Sequence, residues 1–448
     1  MRWYSIVHIG TLVLLSCTNF ASAFHAAPHA TTKVPNYEVK FLSAYSTCRH
    51  ASVNDDNDDD LNLSYGEKSR RFRRTVYTHA DWLKHRDSNR FIRNLATLVN
   101  SGIIRQLAKE VLAVAAVALI VVLWNGLIIE GYTDFQGAHC DPISMDLFGL
   151  EQPPSKYFLL QLPSLPFTLS SSVLGLLLVF RTNTSYARWD STRQLWGLMI
   201  NHSRNILRQA GTWSDHEIEP DIQKRQETMD NLAAAIWAFP RALKVHLIGP
   251  TDEKCFQEEV TKKYLFSPEQ GQALINSRHR PSRSLYQLSK AVNALPVDPL
   301  RRIEIDKSIV IMGDCAGGCE RMFGAPVPLV YTRQTARFVS LWMLFLPLAL
   351  WSSFESSWNH FALIPASAVI AYFYFGIDEI SIQLEEPFSI LPLSTLVGNI
   401  EKSAYDMSQW YSDELRQWQP EELYEERNDL PMPNGQSKSS TSEKFIGK

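Results

Sequence analysis

Four long runs without a charged side chain dominate this sequence, and no other feature restricts its fold as severely. Val111 to Ile129 holds 19 residues free of Asp, Glu, Lys and Arg, Phe158 to Phe180 holds 23, and Phe338 to Phe354 and Phe361 to Ile377 hold 17 each. At the helical rise of about 1.5 Å per residue these runs cover about 25–35 Å, the thickness of a hydrocarbon core. The reading is four membrane-spanning helices, at about 107–130, 157–181, 335–355 and 360–378. Four such runs in one chain disfavour the alternative, buried helices of a large soluble protein.

Prolines punctuate three of the runs. Pro163 and Pro166 interrupt the second, so it is expected to be kinked or in two pieces. Pro347 and Pro365 fall in the last two, which read as a helical hairpin joined by a short polar turn. Freed backbone groups are tolerated in a bilayer only where neighbouring helices or a watery cavity satisfy them. The spans should therefore pack around something.

Basic residues sort by side. Gly131 to Ser155 and Ser352 to His360 contain no Lys or Arg, whereas Arg70, Arg71, Arg73, Arg74, Arg90, Arg93 and Arg105 precede the first span. Arg181, Arg188, Arg193, Arg333 and Arg337 flank the other inner ends. By the positive-inside rule both termini and the segment 182–337 share one compartment. Within that segment Gly197 to Pro250 is helical in character, with Leu232, Ala235, Ile236, Phe239 and Leu243 on one face.

The ends read as targeting and tail. Arg2, an apolar stretch from Ile6 to Cys17 and Ala21-Ser22-Ala23 have the regions of a signal peptide at 1–23. The acid-poor, hydroxyl-rich segment to about Cys48 resembles a transit peptide, and Ala-Ser-Ala-Phe resembles the bipartite plastid presequence of algae with complex plastids. Asp55 to Asp60 continues this as a solvated acidic linker, giving 24–69 as transit segment and linker. The membrane domain is expected at 70–402 and a partly disordered tail at 403–448.

The balance of 44 basic to 47 acidic residues gives no polyanion-binding face, so nucleic acid is not an expected partner. The six cysteines form no disulfide framework; Cys315 and Cys319 are spaced for helical packing and lack the further ligands of a metal site. No phosphate loop, zinc-protease or nucleophile-elbow motif is present, and His202, His246 and His279 read as scattered structural residues. No enzyme, cofactor or metal is expected.

Ser172, Leu176 and Phe180 recur every fourth residue in the second span and share one helical face. Such a stripe suits a pore lining, a core or a lipid face, and periodicity alone does not choose among them. Phe180-Arg181-Thr182-Asn183-Thr184-Ser185-Tyr186-Ala187-Arg188-Trp189, Leu195-Trp196-Gly197, Pro326 to Arg333 and Glu385-Glu386-Pro387-Phe388 resemble, in order, stretches of the bestrophin family. His279-Arg280-Pro281, Asp314-Cys315, Cys319-Glu320-Arg321 and Ile377-Asp378-Glu379-Ile380 resemble its plant thylakoid voltage-dependent chloride channel branch.

The resemblance, covering roughly residues 72–402, implies an all-α membrane protein with four spans per subunit and a helical stromal domain. It also implies a homopentamer around a central pore. By position it makes Ser172, Leu176 and Phe180 the pore neck and Val327 a second aperture. Arg181 and Arg188 are expected to attract anions at the inner flank. A serine replaces the usual bulky apolar residue at the outermost neck level, which widens or wets it. Animal bestrophins carry a calcium clasp after the Asn-Pro-Phe segment; here Glu386 to Ser394 supplies few carboxylates, so no calcium gating is expected there. No span carries a ladder of arginines, so no moving-charge voltage sensor is visible.

The function implied is passive conduction of chloride, with nitrate and bicarbonate as further candidate anions, in a lipid-surrounded thylakoid pore with stromal termini. Such a pore dissipates the electrical part of the proton-motive force. The alternatives are a bicarbonate-conducting channel that supplies carbon fixation and, in a different class, a non-conducting membrane scaffold.

Overall fold

The computed structural model describes residues 70, 73–97, 102–134, 136–149, 156–264 and 267–417. The expected leader, transit segment and acidic linker lie outside the described residues, as does the tail beyond 417. Helices account for almost all of what is described.

Two short helices, α1 (His79–Arg86) and α2 (Arg90–Ala96), precede α3 (Gly102–Gln106). Thr78 starts α1 through a reciprocal capping box with Asp81, a device that satisfies two otherwise unpaired backbone donors. The first span is α4 (Ala108–Val122) continued by a wide-turned π segment, Leu123–Glu130. Gly131 ends it at φ +88°, where an added Cβ would stand 2.4 Å from the Cys140 carbonyl oxygen, so both conformation and space demand glycine. A two-residue antiparallel ribbon follows, β1 (Tyr132–Thr133) against β2 (His139–Cys140), and then the short α5 (Ile143–Phe148).

The second span does not break at its prolines. One helix, α6 (Ser164–Trp213), runs for 50 residues, with Pro163 as its N-cap and Pro166 in its first turn. A proline's missing N–H and fixed φ are harmless there, because the first four N–H groups of a helix have no partner within it. The run's start at Phe158 belongs instead to a turn, Lys156–Phe158, fastened by Asn125: its amide donates to the Leu160 carbonyl at 3.1 Å and accepts the Leu160 N–H at 2.8 Å.

On the basic side α7 (Ile222–Ile248), α8 (Glu253–Lys263), α9 (Pro268–Ile275), α10 (Arg280–Asn293) and α11 (Pro299–Gly324) form a helical domain. The expected one-faced α7 is instead buried nearly all round from Leu232 to Val245, with both α10 and α14 packed on it. The last spans are α12 (Leu329–Leu350), extended by a 3-10 turn to Phe354, and α13 (Leu363–Glu385). The final helix α14 (Leu393–Gln417) packs on α6 and α7 and takes in residues 403–417 of the expected tail.

The four spans meet in one apolar layer made by Val114, Leu174, Leu178, Val339, Met343, Leu346 and Ala371. Asn359, in the left-handed region at φ 48°, donates to the Thr133 carbonyl at 2.8 Å and accepts the Thr133 N–H at 2.7 Å. That bond pair ties together the two loops without Lys or Arg and so puts both on one side of the spans.

Candidate pore-lining face

The face comes from how α6 packs. Its membrane half buries Leu174, Leu178, Arg181 and Ser185 against the neighbouring helices, while Ser172, Leu176 and Phe180 are exposed. At about 100° per residue the three exposed residues fall within about 80° of one another, and their centre lies about 170° from that of the buried four. Ser172 and Phe180 stand about 12 Å apart along the axis. The stripe is thus brought together on the surface of the subunit, directed away from its own core. Leu165, Leu169, Val173 and Val179 widen the same exposed surface.

Because α6 does not break, this stripe continues inward without a change of phase. Asn183, Ala187, Gln194 and Asn201 are exposed at the same angular position. The mostly apolar stripe therefore leads into a row that carries the amide groups of Asn183, Gln194 and Asn201, whose N–H donors suit an anion. Asp190 lies beside this row and accepts a 2.7 Å hydrogen bond from the Gln194 amide. Sequence reasoning missed this continuation because it ended the second span at 181; one uninterrupted 3.6-residue phase carried from Ser172 to Asn201 is the signal that finds it.

The two flank arginines behave otherwise than expected. Arg181 is 4% exposed, and its guanidinium forms a buried ion pair with Asp378 of α13. Next to it the Thr182 and Ser381 hydroxyls share a 2.8 Å hydrogen bond. Arg181 is thus paired and enclosed within the subunit instead of standing free at its surface. Arg188 is spent on carbonyl oxygens: Nη2 donates to Met322 at 2.7 Å, Nη1 to Ala325 at 2.9 Å and Nε to Glu385 at 3.0 Å. A cation suits the C-terminal ends of α11 and α13, where unpaired carbonyls gather. Arg193, Arg333 and Arg337, which flank the inner ends of the later spans, are exposed, as is Arg105 before the first span.

Val327, the expected aperture residue, lies in the turn between α11 and α12. Its side chain is 6% exposed and its N–H donates to Glu385 Oε1 at 3.2 Å. The turn is packed down by this bond and by Arg188, which turns the valine inward and leaves Pro326 and Pro328 exposed on either side. On either side of Phe388, Arg70 Nη1 donates to Glu386 Oε2 at 3.0 Å and to Ser389 Oγ at 2.7 Å, and Arg74 Nε donates to the Ser389 carbonyl at 2.8 Å. A guanidinium thus supplies the positive charge beside these oxygens.

Comparison with known proteins agrees with this architecture. The family model described as Bacterial/Fungal Bestrophin protein matches residues 81–406. The chain is 31% identical, over 76% of its length and 75% of the relative's, to the chloroplastic voltage-dependent chloride channel 2 of Arabidopsis thaliana. Against chloride channel 1 of the same plant the figures are 30%, 74% and 72%. A bacterial bestrophin homologue from Klebsiella pneumoniae superposes with a TM-score of 0.53 at 21% identity, covering 68% of this chain and 98% of that one. With four spans, a continuous second helix that enters the basic-side domain and a family match across most of its length, the chain belongs to the bestrophin family.

Proposed function

We propose that the protein is an anion channel of a plastid membrane, and specifically a chloride channel of the thylakoid with both termini in the stroma. Five copies surround a central pore, and the Ser172, Leu176 and Phe180 stripe of each α6 becomes a ring of the neck. The observation that carries this reading is the outward stripe of α6, opposite its buried face and continuous with the amide row. Membership of the bestrophin family and likeness to chloroplastic chloride channels support the same reading.

An uncharged neck admits ions that shed water cheaply, and phenylalanine presents a positive ring edge to an anion. Ser172 adds a hydroxyl at the outer level and lowers the barrier to wetting. The neck is completed inward by Asn183 and Gln194 rather than by Arg181 and Arg188. Val327 contributes to the second narrowing by fixing the turn that carries Pro326 and Pro328. Passive chloride flow then balances charge as protons are pumped. Such a protein is a channel, with no reaction to catalyse.

The test is reconstitution of the processed chain in a planar bilayer under a chloride gradient. The account expects a current that reverses near the chloride equilibrium potential, and a lower conductance in Ser172→Phe. A reversal potential that follows bicarbonate in preference to chloride would change the cargo. No current in sealed proteoliposomes would replace the channel with a scaffold.

A further inference from the structure

Three helices of the basic-side domain bring together His246, His279 and Glu320. His246 lies in the last turn of α7, His279 is the N-cap of α10 and Glu320 sits near the end of α11. His279 Nε2 is 3.1 Å and His246 Nε2 3.7 Å from the same oxygen, Glu320 Oε1. The rings stand 5.1 Å apart centre to centre, and one donor atom from each residue lies within 4.8 Å of the others. Two ligands about 2.0–2.1 Å from one tetrahedral ion are about 3.3–3.4 Å apart. The two histidine–carboxylate edges bracket that spacing, so only the edge between the rings has to close.

A second observation points the same way. Glu320 Oε1 is shielded from solvent yet accepts no well-aligned hydrogen bond among the described residues. The two imidazole nitrogens beside it do not meet that need with an aligned N–H, whereas a metal ion held between the three would. The imidazole side chains are 36% and 46% exposed, which leaves a path in and positions for water. Arg280, the next residue along, does not compete, because both its Nη atoms are held by Glu253 at 2.6 and 2.8 Å.

We propose that His246, His279 and Glu320 form a site for one transition-metal dication per subunit, of the zinc type. Two imidazoles and a carboxylate suit zinc and its neighbours, whereas calcium and magnesium call for oxygen ligands throughout. His279 Nδ1 accepts the Ser282 N–H at 3.3 Å, which places the ring proton on Nε2 in the ion-free protein. Binding moves that proton: Nε2 releases it to solvent, Nδ1 takes one up, and the long cap bond is given up. The ion then ties the end of α7 and the start of α10 to α11, whose last carbonyls hold Arg188.

The experiment is calorimetric titration of ZnCl2 into the full-length protein, free of any polyhistidine tag, purified in detergent and stripped with a chelator. The expected result is saturable binding of one zinc ion per subunit, weakened at least tenfold in His246→Ala, His279→Asn and Glu320→Gln. His279→Asn keeps an N-cap acceptor for α10 while deleting the Nε2 ligand, so it separates loss of the site from loss of the helix start. Zinc-free variants that elute and melt like the parent certify the fold. A tenfold loss in at least two such variants supports the site; a smaller loss, or no saturable zinc binding by the parent, overturns it.

Discussion

Arg181 of α6 and Asp378 of α13 form an ion pair at the inner end of the spans, with the guanidinium almost wholly shielded from solvent. The pair joins the proposed pore-lining helix to the last span, at the level where Thr182 and Ser381 also bond. It fixes the rotation of α6, and with it the direction in which Ser172, Leu176 and Phe180 point.

Removing one partner leaves a buried charge without compensation, a loss of about 3–5 kcal/mol. Arg181→Gln and Asp378→Asn should each lower the melting temperature of the detergent-purified particle. The double variant should recover part of that loss, since neither charge is then stranded. Additive losses in the double variant would show that the pair is not coupled.

Arg188 makes a different prediction, because its three carbonyl partners sit on two helix ends. Arg188→Lys keeps the charge but loses the fork of donors, so it should not restore the stability lost in Arg188→Ala. Charged hydrogen bonds of this kind contribute about 1.5–3 kcal/mol. Chemical unfolding measures the stability, and bilayer recording should find the anion-to-cation permeability ratio of Arg188→Lys unchanged. Full rescue of stability by lysine would contradict the carbonyl-clamp role.

The buried cysteines of α11 should be inert. Burial pushes the Cys315 thiol up to about 11 and the Cys319 thiol up to about 12, with the nearby Asp314 and then Cys315 adding to the rise. The thiolate is the reactive form, so both should resist alkylation at pH 8 in the folded particle. Mass spectrometry after iodoacetamide treatment reads this out, and rapid labelling of either residue without unfolding would contradict the packing of α11.

A pH dependence follows from Glu253. The hydrogen bonds from Arg280 hold its carboxyl below the ordinary value of 4.5. A folded-state pKa below the unfolded one stabilises the protein above pH 4.5, and that contribution is lost as pH falls below 4.5 through the folded value. The bridge is partly solvated, so Glu253→Gln should cost about 0.5–1 kcal/mol at pH 7 and less at pH 3. Denaturant midpoints at the two pH values test this; an equal cost at both would rule out the charge as its source.

Much of this arrangement was legible in the sequence because a bilayer leaves few options. Long uncharged runs announce spans, and the distribution of arginine sides them. What stayed hidden depended on position within a helix or on partners remote in the chain. Pro163 and Pro166 looked like breaks because proline's effect reverses between the interior and the first turn, and the run itself does not mark where the helix begins. Arg181 and Arg188 read as mouth charges because nothing local reveals that Asp378, or the carbonyls of Met322 and Ala325, will reach them. Val327 carries a family position, yet its inward turn follows from a bond to Glu385. His246, His279 and Glu320 sit on three separate helices and match no spacing motif, so only the packing of the domain gathers them.

The central claim is that the outward stripe of α6 faces a water-filled conduction path, and cysteine accessibility tests it most directly. Leu176→Cys in a planar bilayer should lose most of its current when a water-soluble, negatively charged thiol reagent is added, while the parent chain with its native cysteines keeps its current. Full current in Leu176→Cys after prolonged exposure to the reagent, with labelling instead by a lipid-partitioning thiol probe, would place the stripe against the bilayer and contradict the account.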